Sequence, residues 1–209
     1  MSSPATSAPR VVARDDLFLV QALDTWFTGK GWVPHAFQRA AWRAWRRGVS
    51  GLIHVPTGAG KTYAAYLGPL GSCVEDPPKG LAILYVTPLR AVSRDIEKAL
   101  AAPVAELGLA LRVESRTGDT AAAERARQRR QLPEILVTTP ESLTLLLTRE
   151  DAAEAFAGLR AVVVDEWHEL VHTKRGVQTE LALARLRRLA PACATWALSA
   201  TLRDPQAAA

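Results

Sequence analysis

Six short apolar runs, rich in β-branched residues, punctuate this chain, and a helix-forming segment follows most of them. The runs are 51–55, 81–87, 111–115, 135–139, 161–164 and 195–199; the helical segments are 61–73, 90–107, 121–131, 141–147 and 178–189. A run such as Ala161-Val162-Val163-Val164 lacks polar alternation, the pattern of a strand covered on both faces. Repeated strand–helix units build a parallel sheet through right-handed crossovers. The expected fold class is therefore α/β, a mainly parallel sheet between layers of helices.

Two further helices are expected upstream, over 17–27, ended by Gly29-Lys30-Gly31, and over 36–47. At about 100° per residue, Phe37, Ala40, Ala41, Ala44 and Trp45 share one arc of the second helix. Arg39, Arg43, Arg46 and Arg47 share the opposite arc and read as a solvated face. Residues 1–14 are Ser/Ala/Pro-rich and read as a disordered tail, leaving 15–209 as one domain. With 48% hydrophobic and 22% charged residues, the 209-residue chain as a whole is not disordered.

No run approaches about 18 apolar residues, and the N-terminus lacks the apolar core of a signal peptide, so no membrane association is expected. Cys73 and Cys193 lie far apart without metal-ligand spacing, as do His35, His54 and His172. A disulfide framework or zinc ribbon is thereby disfavoured, and a cytoplasmic protein is expected. Basic residues number 26 against 21 acidic, a net charge of +5, and 21 of the basic ones are arginine. That balance permits a polyanionic partner without requiring one.

The sharpest local signal is Pro56-Thr57-Gly58-Ala59-Gly60-Lys61-Thr62, between an expected strand and an expected helix. Glycines there let backbone N–H groups converge on phosphate oxygens at a helix N-terminus. Lys61 can reach the outer phosphates of ATP, and the Thr62 hydroxyl can hold Mg²⁺. Val55 stands where the general pattern has its first glycine. The second signal is Asp165-Glu166-Trp167-His168, delivered at the carboxyl end of an apolar strand. Ligands of parallel α/β sheets gather at that edge, so Asp165 suits the metal and Glu166 suits activation of the attacking water.

Together these residues resemble the superfamily 2 helicases of the DExH-box type, whose remaining motifs occur here in order. The resemblance implies a three-layer RecA-like P-loop NTPase domain. It assigns Gln38 to adenine recognition, and Thr57, Gly58, Ala59, Gly60, Lys61, Thr62 and Asp165 to ATP and its magnesium ion. It assigns Thr87, Pro88 and Arg90, then Thr117, Gly118 and Asp119, then Thr139, Pro140 and Glu141 to nucleic-acid contacts. Ser199 and Thr201 of Ser199-Ala200-Thr201 would couple hydrolysis to movement, with His168 as partner. The segments Asp165-Glu166-Trp167-His168-Glu169-Leu170 and Lys174-Arg175-Gly176-Val177-Gln178 are similar to Lhr-type proteins, in particular their ligase-associated bacterial branch. That likeness implies a 3′-to-5′ DNA helicase of DNA repair, with DNA rather than RNA as partner and a possible DNA ligase and nuclease association.

Helicases of this type divide their ATPase between two RecA-like domains, the second bringing an arginine finger. This sequence is expected to be the first domain, able to bind ATP·Mg²⁺ but to hydrolyse it very slowly alone. Two other readings stay open: a nucleotide-dependent nucleic-acid-binding module without unwinding, and a small-substrate P-loop kinase with the 125–130 arginine run as its lid. The six tryptophans read as core or interface residues, with Trp167, inside the acidic motif, as the exception worth testing.

Overall fold

The computed structural model describes residues 23–200. The expected tail over 1–14, the start of the first expected helix and Thr201 lie outside the described residues. The chain divides into two compact units, Met1–Pro34 and His35–Ala209. In the first, residues 23–29 are helical, and Trp26, Phe27 and Trp32 meet edge-to-face with ring centroids 5.4–6.1 Å apart.

The second unit begins with α1 (Ala36–Arg46) and continues with β1 (Gly51–His54), α2 (Lys61–Glu75) and β2 (Ile83–Val86). A short 3₁₀ turn (Arg90–Val92) leads into α3 (Ser93–Glu106), followed by β3 (Val113–Arg116), α4 (Ala122–Arg130) and β4 (Ile135–Thr138). Then come α5 (Pro140–Leu147), α6 (Ala152–Phe156), β5 (Ala161–Val164), α7 (Trp167–Leu170), α8 (Lys174–Leu189) and β6 (Ala194–Ser199). The six strands form one sheet in the order β1-β6-β5-β2-β4-β3, and every pairing is parallel.

β2, β4 and β5 are buried at every position, as their unbroken apolar runs require. Leu84, Val86, Leu136, Val162 and Val164 pack on one face with Leu143, Leu146, Phe156, Leu183 and Leu186 from α5, α6 and α8. The alternating set, including Ile83, Tyr85, Ile135 and Val163, points to the other face, where α2 and α3 contact the sheet. The result is a three-layer α/β unit.

α1 corrects the periodicity reading. Its buried stripe is Gln38, Ala41 and Trp42, with Ala40 exposed, so the inward face lies about one residue round from the expected arc. The cause is the partner. α1 packs on α2, where the Trp42 indole N–H donates to the Tyr63 carbonyl and the Trp45 indole N–H donates to Ser72 Oγ. Arg46 is drawn into an ion pair with Glu75 at 2.7 Å, while Arg43 and Arg47 are exposed as expected.

Among the described residues no helix is long and apolar enough to cross a membrane. Cys73 and Cys193 are free thiols, pushed by burial to about 11 and about 12.

Candidate functional site

Because all six strands run the same way, their carboxyl ends share one edge, and each motif begins there. Val55 follows β1, Thr87 follows β2, Thr117 follows β3, Thr139 follows β4, Asp165 follows β5 and Ala200 follows β6. Lys61 and Asp165 therefore stand at the same rim, and the Lys61 ammonium acts electrostatically on the Asp165 carboxyl.

The glycine loop between β1 and α2 turns through Gly58 at φ +82° and Gly60 at φ +86°, conformations open to glycine at little cost. Lys61, only 7% exposed, donates from Nζ to the Val55 carbonyl at 3.1 Å. Val55 does this work with its backbone and has no positive φ, so nothing here requires the glycine of the general pattern. Thr57 and Gly58 form the exposed tip of the loop, with Ala59 and Gly60 half-buried beneath.

Gln38 is 2% exposed. Its Oε1 accepts from the His35 N–H at 2.8 Å and its Nε2 donates to the Gly60 carbonyl at 3.1 Å. A Cβ on Gly60 would stand 2.6 Å from that Nε2. The amide thus fastens α1 to the glycine loop and keeps one N–H and one lone pair for a ligand.

Asp165 Oδ1 accepts from the Glu166 N–H at 2.9 Å, and Oδ2 accepts from the Tyr85 hydroxyl at 2.8 Å. Burial pushes the Asp165 carboxyl above its ordinary value, against the opposing pull of Tyr85, the Glu166 amide, Lys61 and His168. Tyr85 is fully buried in β2, and burial followed by the Asp165 charge pushes its hydroxyl well above the usual tyrosine range. The Thr62 hydroxyl nearby acts on it in the opposite sense. Tyr85 therefore joins the glycine loop to the acidic motif, a role that a lone tyrosine in an apolar run gives no sequence signal for. The oxygen donors Thr62 and Asp165, the latter half-buried, suit a hard divalent cation.

Glu166 occupies the left-handed region (φ 46°, ψ 46°), a costly conformation for a non-glycine residue and a common mark of functional positions. Its Oε2 lies 3.4 Å from His168 Nδ1, and the same nitrogen lies 3.3 Å from Ser199 Oγ. The acidic motif and the end of β6 thus meet through one imidazole. Trp167 turns the other way, packing against the core between β5 and α8 with its indole N–H buried and lacking a protein partner.

The remaining motifs adjoin along the β2–β4–β3 part of the edge. Thr87 is buried, with its N–H donating to the Thr138 carbonyl, and Pro88 is buried beside it. Arg90 is exposed and lays its guanidinium over Gly118, where a Cβ would meet Nη1 at 3.0 Å. Thr117 is buried and its Oγ1 accepts from the Asp119 N–H, while the Asp119 side chain is exposed. Thr139 caps α5 by accepting from the Ser142 N–H, with Pro140 at the first helical position. The Glu141 carboxylate is held bidentately by Arg175 of α8 at 2.6 and 3.1 Å, which ties that motif to the segment 174–178.

The sequence model of DEAD/DEAH box helicases matches residues 35–208. The Lhr helicase/probable uracil glycosylase of Mycolicibacterium smegmatis is 38% identical over 195 residues, covering 87% of this chain and 13% of that protein. The ATP-dependent helicase Lhr-Core of Methanocaldococcus jannaschii is 36% identical over 187 residues, covering 82% of this chain and 22% of that protein. The structure of Mycobacterium smegmatis helicase Lhr bound to ssDNA and AMP-PNP matches with a TM-score of 0.79 at 36% identity, over 91% of this chain and 25% of that one. The likeness carries the RecA-like fold with it, over a quarter or less of these relatives' length. Matched from α1 to beyond β6, with a glycine loop and an acidic motif facing each other across one sheet edge, the chain belongs to the DEAD/DEAH box helicase family.

Proposed function

We propose that this chain is the ATP-binding RecA-like domain of an ATP-dependent DNA helicase or translocase. The observation that carries the reading is the meeting of Lys61, Thr62, Tyr85 and Asp165 at one rim of the sheet. The backbone N–H groups of Thr57, Gly58, Ala59 and Gly60 cradle the phosphates, and Lys61 leaves the Val55 carbonyl to pair with them. Gln38 uses its remaining N–H and lone pair on adenine and reports nucleotide to the loop through Gly60. Thr62 and Asp165 would hold Mg²⁺, which would supply charge neutralisation at the outer phosphates. Glu166 accepts the proton of the attacking water, with His168 beside it relaying the state of the site to Ser199 and Thr201.

A strand of DNA crosses the edge formed by Thr87, Pro88, Arg90, Thr117, Gly118, Asp119, Thr139, Pro140 and Glu141, with Glu141 acting through Arg175 as an anchor. Contacts of this kind to the backbone position a strand without reading its sequence. The Lhr relative captured with ssDNA and AMP-PNP supports both ligands. The reading extends to a 3′-to-5′ direction, a role in DNA repair and association with a DNA ligase and nucleases, as the Lhr-type resemblance implies, and to a cytoplasmic setting, as the cysteine usage implies. A second RecA-like domain completes the ATPase.

ATP binding and DNA-stimulated hydrolysis, measured for this chain joined to a second RecA-like domain, test the reading. Lys61→Ala is expected to abolish nucleotide binding. Glu166→Gln is expected to keep binding and lower turnover about 10²–10⁴-fold, the range for loss of a general base. Turnover near wild type in Glu166→Gln would show that another group takes the proton.

A further inference from the structure

Beyond the motif residues, a cavity of about 730 Å³ opens between α4 and α5, beside the Thr117–Gly118 turn. Arg116, Arg125, Arg129 and Arg149 line it, and no carboxylate does. Arg116 ends β3 and is half-buried, its guanidinium held by the Arg125 carbonyl and Gln128 Oε1 at 3.4 and 3.5 Å. Arg149, beyond the end of α5, is fixed by Asp151 and by the Gln128 and Arg129 carbonyls. Arg125 and Arg129 stand four residues apart on one face of α4, a like-charge spacing that weakens a helix. The nearby Glu114 and Glu124 are engaged by Arg127 instead, and among the described residues neither Arg125 nor Arg129 has an acidic partner. Burial, then the charges of Arg149, Arg129 and Arg125, pull the Arg116 guanidinium below its ordinary value.

We propose that this cavity is a phosphodiester-binding pocket, holding the sugar–phosphate backbone of a nucleic-acid strand as it leaves the Thr117–Gly118 turn. This rests on the nucleic-acid reading above and extends it to residues outside the helicase motifs. Arg149 is balanced by Asp151, but Arg116, Arg125 and Arg129 meet at the cavity with no carboxylate partner among the described residues and so favour an anion, and guanidinium geometry matches phosphate oxygens bidentately. The volume is that of a drug-sized pocket, larger than one free phosphate needs. Continuity selects nucleic acid: Arg90 lies on Gly118, and Gly118 lines the cavity, so the turn that carries Arg90 opens directly onto Arg116, Arg125 and Arg129. Ala122 and Ser142, in the first turns of α4 and α5, add two helix N-termini to the wall.

The test measures binding of a labelled 12-nucleotide oligothymidylate to the 209-residue chain across a salt series. Wild type should bind with a steep log–log salt slope. R125Q/R129Q should weaken binding about tenfold and flatten the slope by about 1.4, at ~0.7 per phosphate lost on a single strand. R125K/R129K, which keeps both charges, should retain the slope. R43Q/R47Q, removing the same charge from the exposed face of α1, should leave the slope as in wild type. Glutamine is a good helix former, so an unchanged thermal midpoint is expected for R125Q/R129Q. A slope unaltered by R125Q/R129Q, or flattened equally by R43Q/R47Q, overturns the pocket and leaves the functional reading standing. A wild-type chain that ignores the oligonucleotide overturns both. Displacement of the strand by a phosphoserine peptide of equal charge at equal concentration overturns the assignment to nucleic acid.

Discussion

At the residue scale, two residues organise the nucleotide rim without doing its chemistry. Tyr85 spends its hydroxyl on Asp165 inside a fully buried strand. Tyr85→Phe leaves Oδ2 without its donor, so the chain should lose about 1–3 kcal/mol by denaturant unfolding, the cost of a buried acceptor left unpaired. In the chain joined to a second RecA-like domain, the same change should raise the magnesium requirement for hydrolysis while leaving oligonucleotide affinity alone. Gly60 is the other. Its φ of +86° disfavours any L side chain, and a methyl group 2.6 Å from Gln38 Nε2 would push that amide aside. Gly60→Ala should cost about 1–2 kcal/mol from the left-handed backbone alone and release the bond from Gln38. A thermal midpoint unchanged by Gly60→Ala would show that the loop has another conformation available.

At the scale of elements, the join between α7 and α8 depends on one glycine. The Thr173 hydroxyl donates to the Leu170 carbonyl at 2.8 Å, and Thr173 Oγ1 accepts from the Gly176 N–H at 3.0 Å. A Cβ on Gly176 would fall 2.0 Å from that same Leu170 carbonyl oxygen. Gly176→Ala must push the helices apart. It should destabilise by about 1–3 kcal/mol, as overpacking does, and should loosen Arg175 from Glu141. Glu134 plays a comparable part between β3 and β4, accepting from Arg112 through N, Nε and Nη2 at 2.8–3.1 Å. Burial would raise its carboxyl, but the Arg112 hydrogen bonds outweigh burial and hold it below its ordinary 4.5. A depressed folded value means stability present above about pH 4.5 and lost as pH falls through the folded value. The difference in thermal midpoint between wild type and Glu134→Gln should therefore be full at neutral pH and shrink in acid; a constant difference would remove the linkage.

At the scale of the whole molecule, turnover depends on what the single unit can assemble. The proposed function predicts that the chain alone binds ATP and hydrolyses it slowly, and that a second RecA-like domain raises turnover by roughly 10³–10⁵, the worth of an arginine finger where one has been dissected. Equal turnover with and without the second domain would place all the chemistry within this chain. Much of this unit was legible in the chain itself. The strand at 161–164 and the glycine loop depend on local patterns, an apolar run and a turn needing positive φ, and both stand where they were expected. Boundaries slid where neighbours decide them: Pro88 and the 3₁₀ turn at Arg90 delay α3, and α8 starts at Lys174 because Thr173 caps it. The inward face of α1 was misplaced because the partner α2 selects it through Trp42 and Trp45. What sequence determined was the period of each element and the chemistry of each motif, since these follow from backbone conformation and residue type. What only tertiary structure decided was adjacency: Tyr85 on Asp165, Arg90 on Gly118, four arginines around one cavity. Such neighbours are set by strand order and helix packing, long-range choices that no local pattern encodes.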